Sequence, residues 1–391
     1  MSKNIVVGVT GGIAAYKTVE VVSRLKKLSY NVDVVMTKSA QEFVTPLTFQ
    51  TLSKNRVICD MFEKCNSYDV EHISIATKAD AFLICPATAN ILGKVANGIA
   101  DDFLSTTIMA TKAPVIFALG MNTNMYENPI VQSNIKKLKE FGYLFVDVDD
   151  GILACGTSGK GRLAEPDVIV DKVREVVTEK DLVGKNILVS AGPTMEAIDP
   201  VRFISNHSSG KMGYEIARAA KYRGAFVTLV TGKTNLKAPS GVNVINVTSA
   251  KDMYDAINSK FDNADIVIKA AAVADYKPKY VNDEKIKKSD GNMCIELEKN
   301  PDILKELGSK KTNQILVGFC METQDLIENA TKKLKSKNLD FIIANNLRVE
   351  GAGFGTDTNI VSIIDKDGDR TDYDKMSKFD LANVILDKTI K

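Results

Sequence analysis

Ile152 to Pro166 reads ILACGTSGKGRLAEP, a glycine-rich loop with a thiol near its start. Glycines so spaced often cradle phosphate on backbone N–H groups, but a thiol has no part in phosphate binding. Cys155 is therefore either incidental or the acid of a loop that does chemistry. Lys160 and Arg162 in the same loop can meet a phosphate. His72, in DVEHISIATKAD, is one of only two histidines in the chain; it can act as a base or sit as an ordinary imidazole. Asn122, in GMNTNMYENP, can hold a carboxylate by its amide N–H groups, while the Met and Tyr beside it can be core filling. Gly11 and Gly12 of VGVTGGIAAYK close an apolar strand and open a helix, aiming backbone N–H groups and the helix dipole at an anion or a cofactor edge. No GxGxxG spacing is present, which argues against a dinucleotide fingerprint. Ser39, Thr88 and Asn90 fall in later turns and offer partners for one phosphate; helix capping explains any one of them better than all three together.

The second half carries a different set. AGPTMEAIDPVRFISNHSSGKMGYEIARAA, at 191–220, reads as a long ordered loop, then Ser208 or Ser209 as a cap, Gly210, Gly213 and a helix. Such an entry suits phosphate or carboxylate, or is an ordinary cap in a solvated loop. DIVIKAAAVADYKP sets small residues, Ala271 and Ala272 among them, where a flat ring can lie against backbone, and Asp275 can hold a metal ion or a nucleotide. Lys285, Lys287 and Lys288 can reach a triphosphate or form a solvated charge run. Lys333 and Lys337 share a helix face at i,i+4 and can simply complement that helix's C-terminus.

Positioning these residues takes strands and helices in alternation. IVVGV (5–9), a helical pattern from Ala14 to Leu28, VDVVMT (32–37), AFLICPA (81–87) and VIFAL (115–119) give the rhythm of a parallel sheet covered on both faces. The turns named above then lie at the carboxyl ends of strands, where open α/β sheets bind ligands. After a charged helix near 167–180 the rhythm restarts with LVGKNILVSAGPT, FVTLVTG (226–232), DIVIKAAA (265–272), QILVGFC (314–320), FIIANN (341–346) and IVSIID (360–365). The boundary is expected near Asp181 to Lys185, and the basic stretch from Tyr276 to Asp290 is expected to be a mobile loop.

At 391 residues the chain exceeds what one core supports, so two domains are expected. With 51 basic and 49 acidic side chains, for a net charge of +2, nothing calls for nucleic acid or an anionic membrane. Six cysteines without a CxxC pair, and two histidines, speak against a zinc site or a disulfide framework. No signal-peptide pattern or long apolar run is seen, so a reducing, cytoplasmic setting is expected.

VTGGIAAYK, EHIS, CPATAN, the MNxxM segment and ACGxxGxGR together resemble the FMN-dependent phosphopantothenoylcysteine decarboxylases, over about residues 4–175. The resemblance implies His72 as active-site base, Asn122 as binder of the substrate carboxylate and Cys155 as proton donor on a lid. It gives the FMN phosphate to Ser39 and Thr88, with Gly11, Gly12, Ile13, Ala89 and Asn90 lining the cofactor. Leu119 and Tyr126 depart from the family's usual Pro and Trp. AGPT, DPVRFISNHSSGKMG, KAAAVADYKP, EKIKK, NPDIL, VGFCMET and KSKNLD resemble the phosphopantothenate-cysteine ligase domain, through most of 184–391. This second resemblance implies CTP as co-substrate with a divalent metal, Mg2+ or Mn2+, at Asp275. Asn206 would stabilise the acyl intermediate, with Arg202 nearby and Lys285 on the triphosphate. Ala271, Ala272, Asp275, Asn300, Pro301, Asp302, Ile303, Phe319, Lys333 and Lys337 would complete the nucleotide site, and His207 reads as structural.

The chemistry explains the residue types. Loss of carbon dioxide beside an amide-bearing carbon leaves a carbanion with no electron sink, so the thiol-bearing carbon must be oxidised first to a thioaldehyde that can accept the electrons. Returning the hydride then needs a proton on the neighbouring carbon, the task that falls to Cys155, with the loop glycines as hinges and water shut out on closure. The expectation is an α/β chain of two Rossmann-like domains: a flavodoxin-like flavin domain at 1–182 and a nucleotide-binding ligase domain at 183–391. It would join 4'-phosphopantothenate to cysteine with CTP and decarboxylate the product to 4'-phosphopantetheine. The resemblance further implies flavin-domain trimers and ligase-domain dimers closing as a dodecamer. The alternatives are a flavin-binding regulatory subunit of a protein phosphatase, against which His72, Asn122 and Cys155 stand together, and a decarboxylase of peptide C-terminal cysteines, which leaves the second half unused.

Overall fold

The computed structural model describes residues 2–62, 70–152, 158–287, 293–322, 325–346 and 355–390. Cys155 and Lys288 lie outside them. The chain divides into two compact units, residues 1–178 and 179–391.

The first unit is built on β1 (Asn4–Val9), β2 (Asn31–Met36), β3 (Val57–Ile58), β4 (Ala81–Ala87), β5 (Val115–Leu119) and β6 (Leu144–Val146), all parallel in the order β3-β2-β1-β4-β5-β6. These strands are apolar along most of their length, Asn4, Asn31 and Asp33 apart, because both faces are covered. On one face α1 (Ala15–Lys27), α2 (Pro46–Ser53) and α8 (Pro166–Val177) enclose a cluster around Val7, Leu25, Val34 and Ile169. On the other, α3 (Glu71–Lys78), α4 (Ala89–Ala96), α5 (Phe103–Ala110) and α7 (Pro129–Glu140) enclose Phe82, Leu104 and Phe117. A short α6 (Thr123–Glu127) follows β5, and an antiparallel hairpin, β7 (Asp149–Ile152) with β8 (Ser158–Arg162), follows β6. The strand order reverses between β1 and β4, so their carboxyl ends leave a crevice.

The second unit centres on β9 (Asn186–Ala191), followed in the chain by a small antiparallel hairpin of β10 (Met195–Ala197) and β11 (Phe203–Ser205). Next come β12 (Phe226–Thr231), β13 (Asn243–Asn246) and β14 (Ile266–Lys269), and a second small hairpin of β15 (Tyr276–Pro278) with β16 (Leu297–Lys299). Last are β17 (Ile315–Glu322), β18 (Phe341–Asn346), β19 (Thr358–Asp365) and β20 (Arg370–Ser377). The main sheet runs β13-β12-β9-β14-β17-β18-β19-β20, and its last two strands are antiparallel. α9 (Lys211–Tyr222) and α13 (Lys378–Ile390) cover one face; α10 (Ala250–Phe261), α11 (Ile303–Lys310) and α12 (Leu326–Ser336) cover the other. Here the order reverses between β9 and β14.

Four local expectations change. The loop at 191–220 contains the β10–β11 hairpin, and Tyr276–Pro278 is paired strand. The cap of α9 is Gly210 in the left-handed conformation with no side-chain cap, while Ser208 Oγ accepts a 3.3 Å bond from the Gly210 N–H. The strand expected at 265–272 ends at Lys269, which frees Ala270 to Asp275 as a loop.

Candidate functional site

In the first unit, the ends of β1, β2, β4 and β5 open onto a cavity of about 750 Å³. It gathers Gly11, Gly12 and Ile13 from the first turn, Ser39 from the second, Thr88 and Asn90 from the third, and Asn122 from the fourth. A carbon added at Gly11 would stand 2.4 Å from Ser39 Cβ, so only glycine lets the first two turns meet. Thr88 precedes α4 but makes no capping bond; its hydroxyl stands 3.2 Å from Thr10 Oγ1, which donates to the Pro86 carbonyl at 2.6 Å. Capping thus does not account for Thr88. A polar corner of hydroxyls and amides beside apolar Ile13, Met121 and Leu163 fits the phosphate and flat ring of a flavin.

Ala89 opens α4 but does not line the cavity, and neither does His72. His72 lies in the first turn of α3, half-buried, its ring edge-on to Phe103 at 6.3 Å between centroids. Ion pairs tie both ends of α3: Glu71 to Arg56 at 3.2 Å, and Lys78 to the buried Asp33 at 2.7 Å.

Asn122 caps α6, its side-chain oxygen accepting from the Asn124 N–H at 2.9 Å. The base of the β7–β8 hairpin packs on this residue's loop. Gly161 has φ of 137°, its carbonyl accepts from the Met121 N–H at 2.9 Å, and a Cβ there would fall 2.3 Å from the Met121 oxygen. A Cβ at Gly159 would fall 2.8 Å from Thr123 Oγ1. These two glycines, expected as hinges, are close-packing positions within a strand. Arg162 lines the cavity and pairs with Glu165 at 2.6 Å; Lys160 is exposed.

Thr10, Lys94 and Asp102, which no motif singles out, also stand on the cavity wall. Lys94 pairs with Asp101 at 2.7 Å and Asp102 at 3.0 Å. Burial would raise the Asp102 carboxyl, but the Ser105 N–H and Lys94 outweigh it and hold it below the usual range. A lysine seven or eight residues before paired aspartates, across one turn from a helix, was the available signal.

In the second unit the loops after β9 and β14 are stitched together. The Ala272 N–H donates to the Gly192 carbonyl at 3.0 Å, and the Ala274 N–H to Thr194 Oγ1 at 3.0 Å. The Asn206 amide reaches the Ala272 carbonyl at 3.1 Å, beside Ala271. Asn300 joins from the other side, its backbone N–H donating to the Asp275 carbonyl at 2.9 Å and its amide to the Ala274 carbonyl at 2.9 Å. Among the described residues the buried Asn300 Oδ1 has no hydrogen-bond partner. After Pro301, Asp302 caps α11 by accepting from the Lys305 N–H at 3.1 Å, and its carboxylate pairs with Lys337 at 2.9 Å. Lys333 lies one turn earlier on α12.

Arg202 is engaged at once by the Asp199 carboxylate, and it donates to the Ile286 carbonyl at 2.7 Å, next to exposed Lys285. Burial would push the Asp199 carboxyl up, but Arg202 and the Val201, Arg202 and Ile286 N–H groups hold it far below the usual range. Not every expected residue converges. Ile303 is buried in the cluster under α10, α11 and α12, and Phe319 packs on the cluster of the opposite face. His207 and Asp275 are exposed. Among the described residues no group of three or more His, Cys, Asp or Glu could hold a metal ion. Asp275 alone is a partial ligand set, which fits an ion carried in on nucleotide phosphates rather than a resident one.

Residues 1–178 match the family described as Flavoprotein, and residues 182–391 match the DNA/pantothenate metabolism flavoprotein C-terminal domain. The coenzyme A biosynthesis bifunctional protein CoaBC of Bacillus subtilis (strain 168) is 51% identical over 389 residues, 98% of this chain and 96% of that protein. Its namesake from Borreliella burgdorferi (strain ATCC 35210 / DSM 4680 / CIP 102532 / B31) is 46% identical over 389 residues, 98% of each. A crystal structure of the C-terminal domain of a protein of that name is 45% identical, covering 54% of this chain and 97% of that one with a TM-score of 0.48. No helix among the described residues is long and apolar enough to cross a membrane. The chain belongs to the family of coenzyme A biosynthesis bifunctional proteins.

Proposed function

We propose that this chain joins 4'-phosphopantothenate to cysteine in its second unit and decarboxylates the product to 4'-phosphopantetheine in its first. The observation that carries this reading is the gathering of Gly11, Ser39, Thr88, Asn90 and Asn122, from four separate turns, around one cavity of about 750 Å³.

FMN would be the flavin of the first unit, with Ser39, Thr88 and Asn90 to hold its phosphate and Gly11, Gly12 and Ile13 to line its ring. Bound there, it supplies a two-electron acceptor and donor, so that the thiol-bearing carbon can be oxidised before the carboxylate leaves. Asn122 orients the departing carboxylate from a loop that α6 and β8 both brace. His72 serves as the base, and Cys155 gives the proton to the carbon that has lost carbon dioxide.

In the second unit the phosphopantothenate carboxylate attacks the α-phosphorus of CTP, expelling pyrophosphate and forming an acyl cytidylate. The cysteine amine then attacks that acyl carbon and releases CMP. Asn206, fixed on the Ala272 carbonyl, steadies the acyl intermediate, and Arg202 stands by it, oriented by Asp199. Ala271, Ala272, Asn300, Pro301 and Asp302 form the nucleotide seat, with Lys333 and Lys337 beside it, while Ile303 and Phe319 support it from the core. Lys285 and a Mg2+ or Mn2+ ion shared with Asp275 neutralise the triphosphate. A cytoplasmic enzyme assembled from trimers of the first unit and dimers of the second completes the reading.

The test is mass spectrometry of products after mixing FMN-loaded protein with 4'-phosphopantothenate, cysteine, CTP and magnesium. Phosphopantetheine is expected. Unchanged substrate from folded, flavin-loaded protein would reject the enzyme reading in favour of a regulatory flavoprotein.

A further inference from the structure

Lys269 is the last residue of β14 and immediately precedes the loop that holds Ala271, Ala272 and Asp275. It is only 7% exposed, and among the described residues its ammonium meets no oxygen; its one polar contact is Met253 Sδ on α10, at 3.8 Å. The strands on either side offer it no charge: in register stand Ser190 on β9 and Gly318 on β17. On the same sheet face, by strand alternation, lie Val267 and Cys320, within a cluster that includes Leu188, Met253, Ile303 and Leu307. Of the facing helices, α10 and α11 spend Tyr254 and Glu306 on each other. Ile303 of that cluster directly follows Asp302, the cap of α11; the Asp302 carboxylate favours the Lys269 ammonium and Lys337 opposes it. Those two are themselves paired at 2.9 Å at the head of α11.

An ammonium buried without a partner is costly and is found where it does something for a nearby site. We propose that Lys269 is a positioning residue of the ligase site: its buried ammonium, set against Met253 in the apolar cluster that also holds Ile303, acts on the adjoining Asp302 carboxylate at the head of α11 and so fixes the Asp302–Lys337 pair that frames the nucleotide seat. This rests on the reading that seats the nucleotide at 300–303. Burial pushes the Lys269 ammonium down to about 7. Near neutrality it therefore gives up its proton, Asp302 is left to Lys337 alone, and the seat loosens.

The test is calorimetric titration of the full chain with CTP and magnesium from about pH 6 to about pH 9, using the natural protein, Lys269→Met and Lys269→Arg. Methionine fills the same space in an apolar cluster, and the nucleotide's own titration is common to all three proteins. The natural protein should lose affinity by about fivefold as pH rises through about 7. Lys269→Met should bind weakly with only the nucleotide's own titration left in its profile, and Lys269→Arg should hold the tighter affinity with that same residual profile. A Lys269→Met protein that binds as tightly as the natural one, with the same pH profile, overturns the proposal. Asn300→Ala and Lys337→Met separate the two layers. If both bind normally, the nucleotide seat itself is misplaced and the proposal falls with it; if both bind weakly while Lys269→Met is normal, only the positioning role falls.

Discussion

Gly161→Ala probes whether the hairpin base sets the place of Asn122. The new Cβ would start 2.3 Å from the Met121 carbonyl oxygen, whereas ordinary contact begins near 3.4 Å, so the Met121–Asn122 loop has to retreat by about 1 Å. The backbone φ of 137° adds strain of about 1–3 kcal/mol for any side chain. Neither the hairpin nor the loop can yield freely, because the Met121 N–H is bonded to the Gly161 carbonyl and Asn122 is committed to capping α6. A displacement of about 1 Å at a substrate-orienting group costs about 10²-fold in rate, equivalent to about 2.7 kcal/mol of barrier. The assay is single-turnover decarboxylation of supplied 4'-phosphopantothenoylcysteine by the full chain, with flavin content read by absorbance and ligation measured on the same preparation. Decarboxylation should drop about 10²-fold with flavin retained and ligation unchanged. Gly98→Ala is the control, since φ there is 70° but a Cβ would meet nothing within 4 Å. Natural decarboxylation in flavin-loaded Gly161→Ala would refute the argument that this contact places Asn122.

Two further outcomes are expected. Gly11→Ala brings a methyl to 2.4 Å from Ser39 Cβ, so the purified protein should lose its visible flavin absorbance while its far-ultraviolet circular dichroism stays natural; a yellow, fully loaded variant would contradict the cradle. The Asp199 carboxyl is held below its usual range in the folded chain, so its contribution to stability is present above about pH 4 and is lost as pH falls toward the folded value. Asp199→Asn should remove that acid-side dependence from the thermal midpoint and lower ligation by at least about tenfold with decarboxylation intact, since Arg202 loses the group that orients it; an unchanged midpoint between about pH 5 and about pH 3 would count against it.

The longer strands of both central sheets were legible because a strand buried on both faces has no polar side, and each apolar run named in the sequence lies within or beside one of them, whereas the short β3, β6 and β13 carried too few residues to stand out. β20 was not, since its RTDYDKMS lies at a sheet edge with most side chains outward and carries no apolar pattern. Its antiparallel course could have been inferred, because the few residues after Asp365 are too short for a crossover. The small hairpins escaped for the same reason as β20: three-residue strands show no period. The cofactor turns were readable as small and hydroxyl residues at strand ends. Which of them face the cavity was not, because that depends on contacts such as Thr10 with Thr88, 78 residues apart. Gly159 and Gly161 illustrate the limit most plainly, since a glycine kept for freedom and one kept for close packing read alike until its neighbours are known. The roles of His72 and Cys155 came from resemblance to a family, and no periodicity could have supplied them.

The eight-residue helix that carries His72 buries only Ile75 and Ala76 and is fastened at its two ends by charge pairs rather than by its own core contacts. Helices this short have little intrinsic stability, so α3 belongs to the part of the first unit that opens locally long before the sheet unfolds. Its amides should exchange with solvent faster than those of β1 or β4, and faster still as salt screens Arg56 from Glu71. The proposed base is thus borne on a short helix held partly by charge pairs, and ionic strength acts on its residence time in position more than on the flavin cradle.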